Sequence, residues 1–451
     1  MAAPIPSNES DRLAAERLHP ASGLPNRSRF LQDIDACIKG QAHEAPETAI
    51  LVIDAATPDQ YVDLARALGE RAADSFEKAS AERIGGLLPA GTGLYHLSAA
   101  RFGCILPPES ESRITEILDG LADNVWRPTS SCAIPAATSI AIGVARDPRD
   151  GANAAALLRA AAVAAHDSLH SARPWCRYSP AVGRAWQRSA SLLRDIGAAL
   201  ADEGQLNLVY QPKMDLRSGR CVGAEALLRW NHPTLGSVPP SEFVPLVEGT
   251  ALVHAMTDWV LAAALRQVAG WRAAGLELAV AVNVSMSDLA DERFSTRLAA
   301  LLDRHEVRPD WIDVEVTESA VAKDMARVGR QLDAIRRLGM AIVIDDFGVG
   351  QAALSYLKYI PATQVKIDQL FVSRLASDRN DQIMVRSTIA LVHALGCRVV
   401  AEGIEDAATL RWLREHDCDI GQGNAISPPL DARHFEQWLR SPSRPNRLGP
   451  V

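Results

Sequence analysis

The sequence predicts an α/β protein, with a C-terminal TIM-like (β/α)8 barrel preceded by a smaller α+β domain. Three observations carry this expectation. From Leu206 onward, eight strand-like runs alternate with helical runs over about 240 residues, the size of one such barrel. Three of those helical runs, Val253–Ala274, Asp324–Leu338 and Asn380–Leu395, stop at Gly275, Gly339 and Gly396. Glycine adopts the left-handed cap cheaply, so each marks a helix end before the next strand. The first half has another rhythm, with paired strands between helices, which suggests helices packed on an antiparallel sheet.

Composition bounds the rest. A chain of 451 residues is long enough for two or three domains with real cores. Hydrophobic and charged contents of 47% and 23% are those of a globular protein. A net charge of −8 argues against a duplex nucleic-acid binder, which needs a basic face. Seven scattered cysteines with no Cys-x-x-Cys pair suggest neither a disulfide framework nor a zinc ribbon. No signal-peptide core and no bilayer-length apolar run is visible, so a cytoplasmic protein without a membrane partner is expected.

In the first half, residues 1–18 read as a polar tail entering a short helix. A Gly/Pro turn (HPASGLPNRSRF) leads into a helix over Arg29–Ile38. Ala49–Asp54 reads as a strand, Asp59–Ile84 as helical, Gly93–Leu106 as two strands with a tight turn, Thr138–Val144 as a strand and Asn153–Ser171 as a helix. Asp54 ends a strand and reads as a turn residue or a metal ligand. The segments SGLPNR, AILVID, YHLSAARF and TSIAIGV resemble, in order and spacing, a GGDEF (diguanylate cyclase-like) domain. At the family's Gly-Gly-Asp-Glu-Phe turn stand Ser98, Ala99, Ala100, Arg101 and Phe102. The resemblance implies a degenerate domain with a structural or regulatory role, because side chains fill the glycine positions and Arg101 reverses a charge. This domain is expected over 1–175, and a Pro/Gly-bearing linker over 176–190.

The second domain is expected over 191–445. Its strand-like runs are Leu208–Asp215, Gly223–Trp230, Leu278–Ser285, Ile312–Thr317, Ala341–Asp346, Gln364–Asp368, Arg398–Gly403 and Ile420–Ile426. An open doubly wound sheet is the alternative, but no Gly-rich phosphate loop follows the first strand. Polar residues recur at the strand ends, where barrels build their sites: Glu225, Asn283, Glu315, Asp345 and Asp346, Lys366 and Asp368, Glu402 and Glu405, and Gln422. Each alone reads as a cap; the series reads as a shared cation site. An all-oxygen ligand set suits Mg²⁺ or Mn²⁺, and adjacent carboxylates can serve two ions about 4 Å apart, the clamp used in phosphodiester hydrolysis. Lys366 could orient water, neutralise a phosphate oxygen or simply offset the carboxylates. Arg229 could meet a phosphate or form a salt bridge.

Glu225-Ala226-Leu227-Leu228-Arg229-Trp230, Asn283-Val284-Ser285, Glu315-Val316-Thr317-Glu318, Asp345-Asp346-Phe347-Gly348, Lys366-Ile367-Asp368 and Ala401-Glu402-Gly403-Ile404-Glu405 together resemble an EAL domain, the cyclic di-GMP phosphodiesterase family. The resemblance implies hydrolysis of cyclic di-GMP to linear pGpG with two Mg²⁺ or Mn²⁺ ions. By motif position it implies Glu225, Asn283, Glu315 and Asp345 on one ion, and Asp345, Asp346 and Glu402 on the other. It makes Lys366 and Glu402 catalytic, gives Arg229, Leu227, Asp368 and Gln422 substrate-side roles, and makes Glu318 and Glu405 supports. It also implies a homodimer through this domain, and a signalling-protein partner is a further expectation. Val349 to Ala353 depart from the family's Thr-Gly-Tyr-Ser-Ser, and Asn424 replaces a common aromatic. A receptor that binds cyclic di-GMP without turnover therefore stands as the alternative.

Overall fold

The structure, a computed structural model, describes residues 18–40, 47–109, 111–125, 140–171, 173–202, 204–318, 325–348 and 360–441. The polar tail of residues 1–17 and the loop departures at 349–353 lie outside them. The chain divides into two compact units between Arg188 and Ser189. That point falls inside a helix, Pro180–Ala201, where the sequence suggested a linker. Among the described residues, no helix is long and apolar enough to cross a membrane.

The first unit is built on β1 (Thr48–Asp54), β2 (Leu94–Ser98), β3 (Arg101–Leu106), β4 (Ala141–Asp147) and β5 (Trp175–Arg177), in the order β2-β3-β1-β4-β5. All pairs are antiparallel except β4 with β5. Every residue of β1 is buried because both sheet faces are covered. Successive side chains alternate between faces. Ala49, Leu51 and Ile53 join a core with Phe76, Ile84 and Leu118, whereas Ile50 and Val52 join one with Phe30, Ile34 and Leu157. Helices therefore lie on both faces. The helical stretch after Asp59 is two helices, Pro58–Leu68 and Glu70–Leu87, broken at Gly69 with φ of 84°. The helix Glu111–Asn124, which the sequence reading passed over, supplies Ile114, Ile117, Leu118 and Leu121 to the core. The alanine-rich stretch is the helix Ala154–Ser168, pressed directly on β4. A Cβ on Gly143 would run into the Ala161 carbonyl oxygen and the Ala165 amide nitrogen, so small residues are required on both sides.

The second unit is a closed barrel. Its strands are β6 (Leu206–Asp215), β7 (Cys221–His232), β8 (Gly236–Val238), β9 (Ala279–Asn283), β10 (Ile312–Thr317), β11 (Ala341–Phe347), β12 (Gln364–Ile367), β13 (Arg398–Ala401) and β14 (Ile420–Gly421). The order β6-β14-β13-β12-β11-β10-β9-β7 closes through β6–β7, and β8 is a short addition beside β7. The eighth barrel strand ends at Gly421, well short of Ile426. One strand departs from the all-parallel pattern, because β6 runs antiparallel to both neighbours. The cause is local. Only Leu216 to Arg220 join β6 to β7, Gly219 takes φ of 67°, and a link that short can join only antiparallel strands. The helix Ala432–Arg440 covers β6, where Trp271 meets Tyr210 edge-on at 4.8 Å between centroids and stacks on Phe435 at 4.9 Å.

Strand alternation sorts the barrel. Ala224, Ala226, Leu228, Val280, Val282, Val314, Ile342, Ile344, Val365 and Val399 face outward into the helix layer. Their neighbours Glu225, Ala281, Glu315, Val343, Asp345, Lys366 and Val400 are buried but stand outside that apolar cluster, on the barrel's inner side.

Gly143→Ala should destabilise the first unit by roughly 3 kcal/mol, the upper end for overpacking, because the obstructing atoms are backbone and cannot rotate away. Chemical denaturation of the variant checks this; an unchanged midpoint would contradict direct contact between β4 and the alanine-rich helix.

Candidate active site

The buried ammonium of Lys366 organises the inner face of the barrel. Its Nζ lies 3.2 Å from Glu225 Oε2, 2.9 Å from Glu315 Oε2, 3.1 Å from Asp345 Oδ1 and 2.6 Å from Glu402 Oε1. The side chain is 1% exposed. Burial alone would lower the pKa of Lys366, but the surrounding carboxylates outweigh it and hold it well above the usual value. The group is therefore a permanent cation that donates hydrogen bonds and accepts none.

The strands place its partners in register. Glu315 on β10 lies opposite Asn283 on β9, and Ala281 on β9 lies opposite Glu225 on β7. Asn283 Nδ2 donates to Glu225 Oε1 at 2.9 Å, and Gln422 Nε2 donates to Glu225 Oε2 at 2.7 Å. Burial works against the Glu225 charge, yet Lys366, Gln422 and Asn283 together hold its pKa at about 2. Its neighbours lack that support. Burial and the Glu225 charge push Glu315 up to about 7. Burial, Asp345 and Glu225 push Glu402 up to about 8 against the pull of Lys366. Burial, Asp345 and Asp368 push Asp346 up to about 6. Burial and mutual repulsion thus disfavour the charged forms of these three carboxyls, a penalty that an added cation would relieve.

Asp345 and Asp346 behave differently although adjacent. Asp345 is buried, whereas Asp346 takes φ of 54° and turns outward to the mouth. The Asp346 N–H donates to Asp345 Oδ1 at 2.9 Å, which helps fix this unusual turn. Carboxylate oxygens of Glu225, Glu315 and Asp345 lie within 4.8 Å of one another, and so do those of Asp345, Asp346 and Glu402. Asp345 is common to both groups. Every donor in these two groups is a carboxylate oxygen, the chemistry that suits hard cations such as Mg²⁺ and Mn²⁺.

The remaining residues sort by place. Glu225, Leu227 and Arg229 share one face of β7 by alternation. Leu227 is half-buried, and the half-buried Arg229 donates to the Leu228 carbonyl oxygen at 2.8 Å. Burial lowers the Arg229 pKa, and Glu225 offsets part of that. Asp368 caps the short helix Gln369–Val372, accepting from the Leu370 N–H at 2.7 Å. Glu318 is buried and accepts from the Gly348 N–H at 3.1 Å, just past Asp346. Glu405 is exposed and accepts from Asn424 Nδ2 at 3.3 Å.

The sequence reading missed Lys213 and Gln211 on β6 and Asp313 on β10. Lys213 is 2% exposed and lies 3.4 Å from both Asp313 and Glu315. Burial lowers its pKa, but Glu315 and Asp313 raise it further, so a second ammonium sits beneath the first. Gln211 Oε1 accepts from Gln422 Nε2 at 2.9 Å. Alternation along LVYQPKMD was the available signal, because Gln211 and Lys213 share the parity opposite to Leu208 and Tyr210.

Comparison with known proteins identifies the family of each half of the chain. A family model described as EAL domain matches residues 193–429, and one described as Diguanylate cyclase, GGDEF domain, matches residues 18–173. A cyclic di-GMP phosphodiesterase of Pseudomonas aeruginosa is 36% identical over 422 residues, which cover 93% of this chain and 71% of that protein. The bifunctional diguanylate cyclase/cyclic di-GMP phosphodiesterase MucR of the same organism is 31% identical over 420 residues, 93% of this chain and 60% of that one. The structure of PaMucR phosphodiesterase in complex with c-di-GMP is 37% identical with a TM-score of 0.52, covering 54% of this chain and 99% of that one. The cAMP- and cyclic-di-GMP-bound EAL enzyme Bd1971 is 31% identical with a TM-score of 0.54, covering 57% of this chain and 70% of that one. The chain thus spans 60% to 71% of the length of these two curated relatives. The chain belongs to the EAL-domain family and carries a GGDEF domain ahead of its barrel.

Proposed function

We propose that the barrel hydrolyses one phosphodiester bond of cyclic di-GMP to give linear pGpG. The observation that carries this reading is the pair of carboxylate groups sharing Asp345 beside the buried Lys366 ammonium. In this reading Glu225, Asn283, Glu315 and Asp345 hold one divalent ion, and Asp345, Asp346 and Glu402 hold another. When bound, Mg²⁺ or Mn²⁺ supplies water acidification and neutralisation of charge on the reacting phosphate.

The chain's own groups do the rest. Lys366 keeps its proton, so it serves as a donor that orients the attacking water and faces negative charge rather than as a base. Glu402, 2.6 Å from Lys366, fixes the position of that ammonium. Gln422 and Asn283 keep Glu225 ionised by donating to both of its oxygens. Arg229 is the phosphate contact, with Leu227 and Asp368 lining the substrate side. Glu318 holds the Gly348 N–H just past Asp346, and Glu405 holds the Asn424 side chain. The GGDEF half acts as a regulatory domain that makes no cyclic di-GMP, a reading supported by Arg101. Its guanidinium Nε and Nη2 lie 2.5 and 2.8 Å from the two oxygens of Asp54, so a cation from the chain already claims that carboxylate.

Partner contacts follow the same logic. Leu370, Ile383 and Met384 are 53%, 45% and 51% exposed on two neighbouring helices of the barrel, which supports a homodimer through this unit. A signalling protein bound through the GGDEF half would supply regulation, and the cytoplasm is the compartment where a cyclic nucleotide messenger acts. The second reading is a cyclic di-GMP receptor without turnover. Gln351, Ala352 and Ala353 favour it, since hydroxyls are absent from a loop that follows the aspartates.

Product separation after incubation with cyclic di-GMP and Mg²⁺ or Mn²⁺ decides between the two. Wild-type protein should yield pGpG, chelation should stop it, and Asp346→Asn should lower the rate by roughly 100-fold or more. Lys366→Arg should not restore what Lys366→Ala loses, because a planar fork cannot replace a point charge among four carboxylates. Binding with no pGpG above the Asp346→Asn level would overturn hydrolysis and leave the receptor. Ile383→Glu should shift the protein toward monomer in sedimentation; an unchanged mass would remove this helix from any dimer contact.

A further inference from the structure

The first unit contains a cluster that the barrel chemistry does not use. His19 lies in the turn that enters the unit, Glu77 on the helix Glu70–Leu87 and His96 on β2. The turn is fastened at both ends. The His19 N–H donates to the Leu24 carbonyl oxygen at 2.8 Å, and the His96 N–H donates to that of Pro25 at 2.8 Å. The two imidazoles stack with centroids 3.5 Å apart and planes at 27°. His96 Nε2 stands 3.6 Å from Glu77 Oε1. One ligand atom from each of the three residues lies within 4.8 Å of the others.

Burial makes this grouping chemically pointed. Glu77 and His96 are 3% and 1% exposed. His19 Nδ1 is shut off from solvent and has no hydrogen-bond partner among the described residues. A buried polar atom left unpaired is costly, so this nitrogen gains from any partner that reaches it. The protonation states suit a ligand role. Burial and the neighbouring His96 lower the His19 pKa, which keeps the imidazole neutral at pH 7. Burial raises the Glu77 pKa, but His96 and the Ala100 N–H outweigh it, so the carboxylate is ionised.

Two imidazole nitrogens and one carboxylate oxygen form a borderline donor set, which favours Zn²⁺ over the hard cations that suit the barrel. His96 also has the orienting partner common behind a ligating histidine. Its Nδ1 lies 2.8 Å from Ser22 Oγ. With the proton on Nδ1 and donated to that hydroxyl, the Nε2 lone pair faces Glu77. With the proton on Nε2, the same nitrogen donates to the Ser98 carbonyl oxygen at 3.0 Å. The ring therefore has one tautomer for each state, liganded and free.

We propose that His19, Glu77 and His96 form a Zn²⁺ site with water completing four-coordination, and that the ion clamps the entry turn to the hairpin at Ser98–Phe102. Glu77 already reaches that hairpin, accepting from the Ala100 N–H at 3.1 Å, and Ala100 holds the left-handed φ of 51°. Metal binding at Glu77 and His96 thus changes the hydrogen bonds of both hairpin ends, Ser98 and Ala100. The site lies wholly in the first unit and stands or falls apart from the hydrolysis proposed for the barrel.

Co²⁺ is the probe, added to the full chain in excess Mg²⁺ so that oxygen-only sites are already filled. Wild-type protein should bind about one equivalent more Co²⁺ than His19→Ala and show the intense visible absorption of a four-coordinate nitrogen-bearing site. His19→Ala changes a half-buried turn residue and should leave the fold intact by circular dichroism. Glu77→Gln should weaken the band, and Asp345→Asn should leave it unchanged. Equal stoichiometry and equal spectra in wild type and His19→Ala would overturn the site. So would a band that disappears with Asp345→Asn, because it would belong to the barrel.

Discussion

One ammonium group among four carboxylates sets the terms for the barrel. Lys366 Nζ stands 2.6 to 3.2 Å from Glu225, Glu315, Asp345 and Glu402, all contributed by different strands or strand ends. Removing such charges from water is expensive, and a buried pair is worth having only when every partner is met. Here the meeting is uneven. Glu225 is satisfied at both oxygens and stays ionised, whereas Glu315 and Glu402 are pushed up toward neutral pH. A core designed for stability would not leave that imbalance. A site built to receive cations and a phosphate would, and the cost falls on the barrel's apolar outer layer.

That outer layer and the inner polar face come from the same strands. Alternation sends Val280 and Val282 outward but Ala281 and Asn283 inward, and it sends Ile342 and Ile344 outward but Val343 and Asp345 inward. Small or polar inner residues are possible because the outward neighbours carry the packing. The antiparallel first strand adds what the parallel seven lack. It brings Lys213 against Asp313 and Glu315, and Gln211 against Gln422. Two cations thus share Glu315, one at each of its oxygens.

The first unit uses ion pairing to the opposite end. Arg101 on the hairpin binds both oxygens of Asp54 at the end of β1, which ties the turn to the central strand. Ala100 then adopts the left-handed region without a glycine, held by its N–H to Glu77 and its carbonyl oxygen to the Ala55 N–H. A turn that elsewhere relies on glycine is here secured by its surroundings.

Much of this was legible in residues alone. Runs such as AIVIDD and LAVAVNVS announce buried strands with polar ends, and their recurrence implied a barrel with an acidic mouth. Local pattern suffices for that, since burial and alternation leave a direct imprint on residue type. Other features had no local imprint. The antiparallel pairing of Leu206–Asp215 with β14, unlike its pairing with β7 across the short link, follows only from closure of the barrel. The parity of Lys213 puts it on the inner face, but nothing local names its partners, 100 and 102 residues away. His19, Glu77 and His96 lie on three separate elements, and no spacing joins them. The sequence by itself determined the strands, the acidic rim and the family. Tertiary structure alone decided which charges meet, because the energy of a buried charge depends on neighbours in space, and these are brought together only when the sheet closes.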